Sequence, residues 1–255
     1  MKTLNDKQVE EVLALMKHSN SVELKLTVVD SAIRSTADAL SMDPLQAEIR
    51  QVVFFDTPEL TLSKAGLVVR ARRIQGGGGD TVIKLRPVNP ETLSPEVRQA
   101  ASVKVEVDAM PQGYVCSASM KGKTTADDVR AVVLGKMKTR DLFTKEQRAF
   151  YKANAPDGLK LSQLSVLGPI NLLKLEFTPD GVKRKFVAEL WMYPDGSRIL
   201  EISTKASTQD AFQVAAETRD FLKRKGLDLT ADQQPKTNRA LKHFTDLLKK
   251  VQDGN

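Results

Sequence analysis

Charged residues two positions apart recur along this chain, and they are the part of it that could do chemistry. S-V-E-L-K-L-T places Glu23 and Lys25 two apart, V-V-R-A-R places Arg70 and Arg72, and V-I-K-L-R places Lys84 and Arg86. V-K-V-E-V-D carries Lys104, Glu106 and Asp108, and further on come Lys174 with Glu176, then Glu189, then Glu201 with Lys205. Two residues is the side-chain period of a β-strand, so the ions of each stretch share one face and aliphatics such as Val22, Leu24 and Leu26 share the other. In one isolated strand a solvated polar face explains the pattern. Its return in strand after strand favours a different arrangement, in which the ionic faces look into a common space. Lys25, Arg70, Arg72, Lys84, Arg86, Lys104 and Lys205 gathered within low-dielectric walls would repel strongly. Such a space needs water, the carboxylates of Glu23, Glu106, Asp108, Glu189 and Glu201, and a polyanionic ligand.

The elements that must position these residues follow from periodicity and turn residues. Asn5 caps a helix whose Val9, Val12, Leu13 and Met16 form one stripe, and a short helix spans about Ser35–Met42 before Pro44. Eight strands are expected, at about 21–30, 47–56, 67–73, 80–86, 103–108, 172–177, 182–192 and 198–205. Gly76 to Gly79 read as a hairpin and not as a phosphate-cradling loop, because no Lys-Ser/Thr and no helix follow. Residues 110–170 read as a helical insertion, with helices near Thr125–Met137 and Thr144–Lys152, the second opened by a Thr144…Gln147 capping box. Asp195-Gly196 marks a hairpin between the last two strands. C-terminal helices occupy about 209–252: the first stops at Gly226, and Pro235 starts a second with Leu241, Phe244, Leu247, Leu248 and Val251 on its apolar stripe.

Bulk properties bound the function. A charged fraction of 28% and a hydrophobic fraction of 41% belong to a folded domain, and the net charge of +7 calls for an anionic partner. Aromatics at 5% argue against a platform that stacks single-stranded bases, and Cys116, the lone cysteine, excludes a disulfide framework and a thiolate metal site. No run reaches the length of a membrane span and M-K-T-L-N-D-K-Q lacks the apolar core of a signal peptide, so a cytoplasmic protein without membrane partners is expected. The amphipathic helices need a surface for their apolar stripes. An inverted α+β architecture satisfies them: a closed eight-stranded antiparallel β-barrel with a polar, ion-lined lumen and helices packed outside.

The same segments resemble, in order over about residues 21–205, the CYTH family, the triphosphate tunnel metalloenzymes. S-V-E-L-K, F-F-D-T-P-E-L-T-L-S-K-A-G-L-V-V-R-A-R, V-I-K-L-R-P, V-K-V-E-V-D and R-I-L-E-I-S-T-K carry the likeness, the second block most specifically. The resemblance implies residues 1–255 as a single CYTH-like domain with a tunnel that binds a triphosphate. Lys25, Arg70, Arg72, Lys84, Arg86, Lys104 and Lys205 would hold the substrate. Glu23, Glu106, Asp108, Glu189 and Glu201 would hold Mg2+ or Mn2+, and Glu23, Lys25 and Glu106 would act in catalysis. The implied reaction is hydrolysis of a phosphoanhydride in an inorganic, thiamine or nucleoside triphosphate. A non-catalytic polyphosphate or nucleotide-binding module and a class IV adenylate cyclase are the alternatives.

The chain departs from the family pattern at two acids. The opening E-x-E-x-K has Ser21 in its first position, and the late E-x-E has Glu201 followed by Ser203. Hard divalent cations prefer carboxylate oxygens, so weak metal binding is expected. Both serines are expected on the ionic face, near Glu23 and Glu201. The basic residues lie on inward faces, so a small polyphosphate is expected as partner in preference to a nucleic acid. Arg140 and Arg148 read as surface residues, and Trp191 as a packing residue whose indole needs one partner.

Overall fold

The structure, a computed structural model, describes residues 5–230 and 236–253, with side chains up to residue 247 in the last helix. Pro235 and the side chains of Leu248 and Val251 lie outside the described residues. Nine strands form a closed barrel. They are β1 (Ser21–Val28), β2 (Glu48–Asp56), β3 (Leu67–Ile74), β4 (Gly78–Leu85), β5 (Val103–Met110), β6 (Gly113–Thr125), β7 (Ser165–Phe177), β8 (Phe186–Met192) and β9 (Arg198–Ala206). Around the wall the order is β1-β5-β6-β4-β3-β2-β7-β8-β9.

The barrel is mixed, which corrects the expected all-antiparallel wall of eight strands. An odd number of strands cannot alternate direction all the way round, so one neighbouring pair must run parallel. That pair is β1 with β5, joined in register from Ser21↔Glu106 to Leu24↔Ala109. The ninth strand is β6, inside the stretch read from sequence as a helical insertion. It gives the apolar core Cys116, Ala118 and Met120 where other strands carry branched aliphatics, and between them buries Ser117 and Ser119, which weakens the periodic signal. It pairs with β5 from Val103↔Met120 to Met110↔Gly113, and with β4 from Gly78↔Thr125 to Leu85↔Ala118. Strand β7 also begins before Pro169, at Ser165, and its pairing with β2 shifts register between Val52 and Phe54.

The helices are α1 (Asp6–Lys17), α2 (Ile33–Ala39), α3 (Thr61–Lys64), α4 (Pro95–Gln99), α5 (Ala126–Val133), α6 (Lys145–Asn154), α7 (Ala211–Arg224) and α8 (Lys236–Asp253). The expected capping box of Thr144 with Gln147 forms, and the expected cap Asn5 goes further and forms a box with Gln8. Helices cover the aliphatic faces of the strands. Val12 and Met16 of α1 share a core with Val22 and Leu24 of β1, and Val105 and Val107 of β5 join the same cluster. Phe221 and Leu222 of α7 cover Leu26, Val28, Phe186 and Ile202. Gln147 of α6 is fully buried: its Nε2 donates to the carbonyls of Thr81 (3.3 Å) and Met120 (3.2 Å), while its Oε1 accepts from Thr81 Oγ1 (2.8 Å). Gly122 of β6 makes room for that amide, since a Cβ there would lie 2.3 Å from Gln147 Oε1.

Helix α8 packs differently. Its Ala240 and Leu241 meet Val52, Phe54, Leu172, Trp191 and Ile199. By strand alternation Trp191 shares its face with Glu189, and Ile199 with Glu201, so α8 lies against the faces that carry the ions. No helix among the described residues is long and apolar enough to cross a membrane.

Candidate functional site

Ion pairs link charged residues from strands that are not neighbours in the wall. Asp108 of β5 is 1% exposed and is the hub. Lys25 Nζ of β1 lies 2.9 Å from Asp108 Oδ1, while Arg86 Nη1 and Lys84 Nζ lie 2.7 and 3.6 Å from Oδ2. Lys84 belongs to β4, which β6 separates from β5. Lys25 also pairs with Glu23 at 3.2 Å, and Ser203 Oγ donates to Glu23 Oε1 at 3.0 Å.

A second group forms on Glu106, which accepts from Lys205 Nζ (2.5 Å) and Ser21 Oγ (3.2 Å). A third forms between β8 and β9. Glu189 and Glu201 stand directly opposite in register, and both pair with Nζ of Lys236 from α8, Glu201 at 2.7 Å. Arg72 makes a two-pronged pair with Asp80.

Electrostatics follow from this packing. Burial pushes the Asp108 carboxyl up, but Lys25, Lys84 and Arg86 outweigh it and hold it at about 2. Lys25 is the mirror case: desolvation opposes its charge, yet Glu201, Glu23 and Asp108 keep its ammonium above the ordinary range. Lys236 is likewise raised, by Glu189 and Glu201 against the cost of burial. Lys84 goes the other way. Burial and the neighbouring cations Lys25, Arg86 and Arg70 overcome the help of Asp108 and lower it to about 8. Burial and the repulsion of Arg72 lower Arg70 to about 10, and its buried Nε finds no hydrogen-bond partner among the described residues.

Most of the expected site residues therefore come together. Lys104 does not: its side chain is exposed at the start of β5 and forms no ion pair among the described residues. The two serines reach carboxylates across strands: Ser203 meets Glu23 and Ser21 meets Glu106, not the acids of their own strands. Trp191 is 1% exposed and its indole donates to Glu189 at 3.3 Å. Arg148 donates to the Phe143 carbonyl at 2.8 Å and is part of the fold of its own segment.

Sequence reading missed Asp80, Lys121 and Lys236. Asp80 was legible, two and four residues before Val82 and Lys84 on the same strand face. Lys121, whose ammonium burial and nearby Arg72 and Lys205 lower against the pull of Glu106, sits on the strand with the weak pattern. Lys236 had one local sign: a lysine in the first turn of a helix opposes the helix dipole, so its place there needs another cause.

The donor set does not fit the Mg2+ or Mn2+ that the CYTH resemblance implies. Among the described residues, no group of three or more His, Cys, Asp and Glu side chains is placed to hold a metal ion. Each of the five carboxylates expected as ligands is already engaged by a lysine.

No protein-family model and no curated protein matches the chain. Among the solved structures similar to it in fold are two at a TM-score of 0.60. One is a candidate adenylate cyclase from Bacillus halodurans, with 13% identity and a TM-score of 0.60 over 87% of this chain and 97% of that chain. The other is a candidate adenylyl cyclase from Hippeastrum described as having a dominant triphosphatase activity, with 17% identity and a TM-score of 0.60 over 83% of this chain and 91% of that chain. At these identities the likeness is one of fold.

Proposed function

We propose that the ionic faces line the inside of the barrel as a basic tunnel, closed at one end by α8, that binds the triphosphate group of a small anion and hydrolyses a phosphoanhydride bond. The observation that carries this reading is a shortage of negative charge among buried cations. Asp108 is shared by Lys25, Lys84 and Arg86, Lys84 is lowered to about 8, and Arg70 keeps an unpartnered buried Nε. A linear triphosphate supplies the missing charge and many acceptor oxygens. The fold likeness to the Hippeastrum protein and the CYTH-like order of motifs support the same ligand class.

In this reading Lys25, Arg70, Arg72, Lys84 and Arg86 neutralise phosphate oxygens and stabilise the charge that moves onto the leaving group. Lys205 and Lys121 guide the anion past Glu106 from the end opposite α8. Glu23 and Glu106, held by hydrogen bonds from Ser203 and Ser21, orient the attacking water. The engaged state of every carboxylate favours a second reading, a polyphosphate-binding module without turnover.

Isothermal titration with tripolyphosphate and ATP, followed by assay of phosphate, pyrophosphate and cyclic AMP release, separates the readings. Binding with phosphate release is expected, and Lys84→Met should weaken binding about tenfold or more. Binding without product selects the module, cyclic AMP selects a cyclase, and absence of binding to both anions removes the triphosphate reading.

A further inference from the structure

The geometry points to Lys236 as a tethered cation that takes the place of a divalent metal between Glu189 and Glu201, so that the polyphosphate is bound as its metal-free anion. The second half rests on the triphosphate reading above, and the first stands without it. Glu189 and Glu201 face each other across β8 and β9 and are 16% and 13% exposed, so their mutual repulsion is poorly screened. Two facing carboxylates of this kind are where a metalloprotein would place its ion. Here the ammonium of Lys236 pairs with both, at 16% exposure.

The lysine is delivered by a built support. Tyr193 donates its hydroxyl to the Lys236 carbonyl at 2.9 Å, and one turn on, Ala240 and Leu241 are buried against Trp191 and Ile199. The Nζ lies 5.0 Å from the centre of the Trp191 ring, a contact that favours a cation. An apolar wall on that side suits an ammonium. It does not suit Mg2+, which keeps several waters and demands near-octahedral oxygen ligands. Helix energetics do not explain the residue either, because a cation at the first turn is disfavoured by the dipole.

The remaining carboxylates offer the metal no alternative seat. Asp108 faces three cations, Glu106 faces Lys205, and Glu23 faces Lys25. Ser21 and Ser203 stand where the family pattern has acids, and they donate hydrogen bonds to Glu106 and Glu23. Two neutral hydroxyls at Ser21 and Ser203 and an internal ammonium at Lys236 act in one direction. Both lower the affinity for a divalent cation while keeping the site attractive to an anion.

Two titrations test this on the full chain. Mn2+ added to anion-free protein, followed by electron paramagnetic resonance, should leave the metal free. Lys236→Ala should then bind Mn2+ at the vacated carboxylates. Tripolyphosphate should bind wild type in EDTA at least as tightly as with excess Mg2+, which competes by chelating the anion. Lys236→Ala should bind it about tenfold or more weakly in EDTA, with Mn2+ restoring affinity. Mn2+ binding to anion-free wild type, or tripolyphosphate binding that requires metal, overturns the inference even if the variant fails to fold. No tripolyphosphate binding under either condition rejects the triphosphate reading instead, and the Mn2+ titration then decides the role of Lys236 alone.

Discussion

Lys84 shows how a single side chain couples the site to pH. Burial and three neighbouring cations hold its ammonium at about 8, so in the free protein it loses its proton near that pH. A bound polyanion would raise it, and binding would take up a proton where the free lysine is neutral. Anion affinity should accordingly be constant below pH 8 and fall as pH rises through it, by up to about tenfold per unit. Titration calorimetry in buffers of different ionisation enthalpy would report the proton taken up. Lys84→Arg, which stays charged, should flatten the profile. An unchanged profile in that variant would move the effect to another group.

At the scale of elements, the contact between α6 and the barrel turns on the absence of one side chain. Gln147 donates its amide to the carbonyls of Thr81 and Met120, and it can do so because Gly122 leaves space for it. A Cβ at Gly122 would also come within 2.8 Å of Thr81 Oγ1. Gly122→Ala should therefore destabilise the protein by about 1–3 kcal/mol, read as a lower midpoint in urea. Gln147→Ala should relieve part of that cost, so the double variant should be less destabilised than the sum of the singles. Additive effects would show that the amide and the glycine are not coupled.

At the scale of the whole molecule, the barrel is held partly by charge, and acid should expose this. Asp108 is held at about 2 against an ordinary 3.8, and Glu106 and Glu189 also lie below their ordinary values because lysines face them. Carboxyls with depressed folded values stabilise the fold above their unfolded values and lose that contribution as pH falls through the folded ones. Asp108 alone contributes about 2 kcal/mol on this basis, fully present above about pH 4 and lost towards pH 2. Thermal unfolding followed between these limits should show a steep fall in Tm. In Asp108→Asn the Tm should be lower at neutral pH, because Lys25, Lys84 and Arg86 lose their shared partner, and its further fall in acid should be shallower.

Much of this was legible in the order of residues alone. The period of two in V-K-V-E-V-D and V-V-R-A-R assigns each side chain to a face, and face is what decides whether an ion can meet another strand's ion. Caps and turns at Asn5, Thr144 and Asp195-Gly196 are equally local, so they too could be read directly. What depends on partners distant in the chain could not be. Strand β6 has Cys116, Ala118 and Met120 where other strands carry branched aliphatics, and its place is set by pairing with β4 and β5; its presence makes the count odd and forces the parallel seam at β1 and β5. The cross-strand reach of Ser203 to Glu23 and of Ser21 to Glu106 depends on that register. Lys236 lies in sequence far from Glu189 and Glu201, and only the packing of α8 on Trp191 and Ile199 brings its ammonium between them. Local spacing determines which face a residue occupies; strand register and the packing of α8 decide which charges pair.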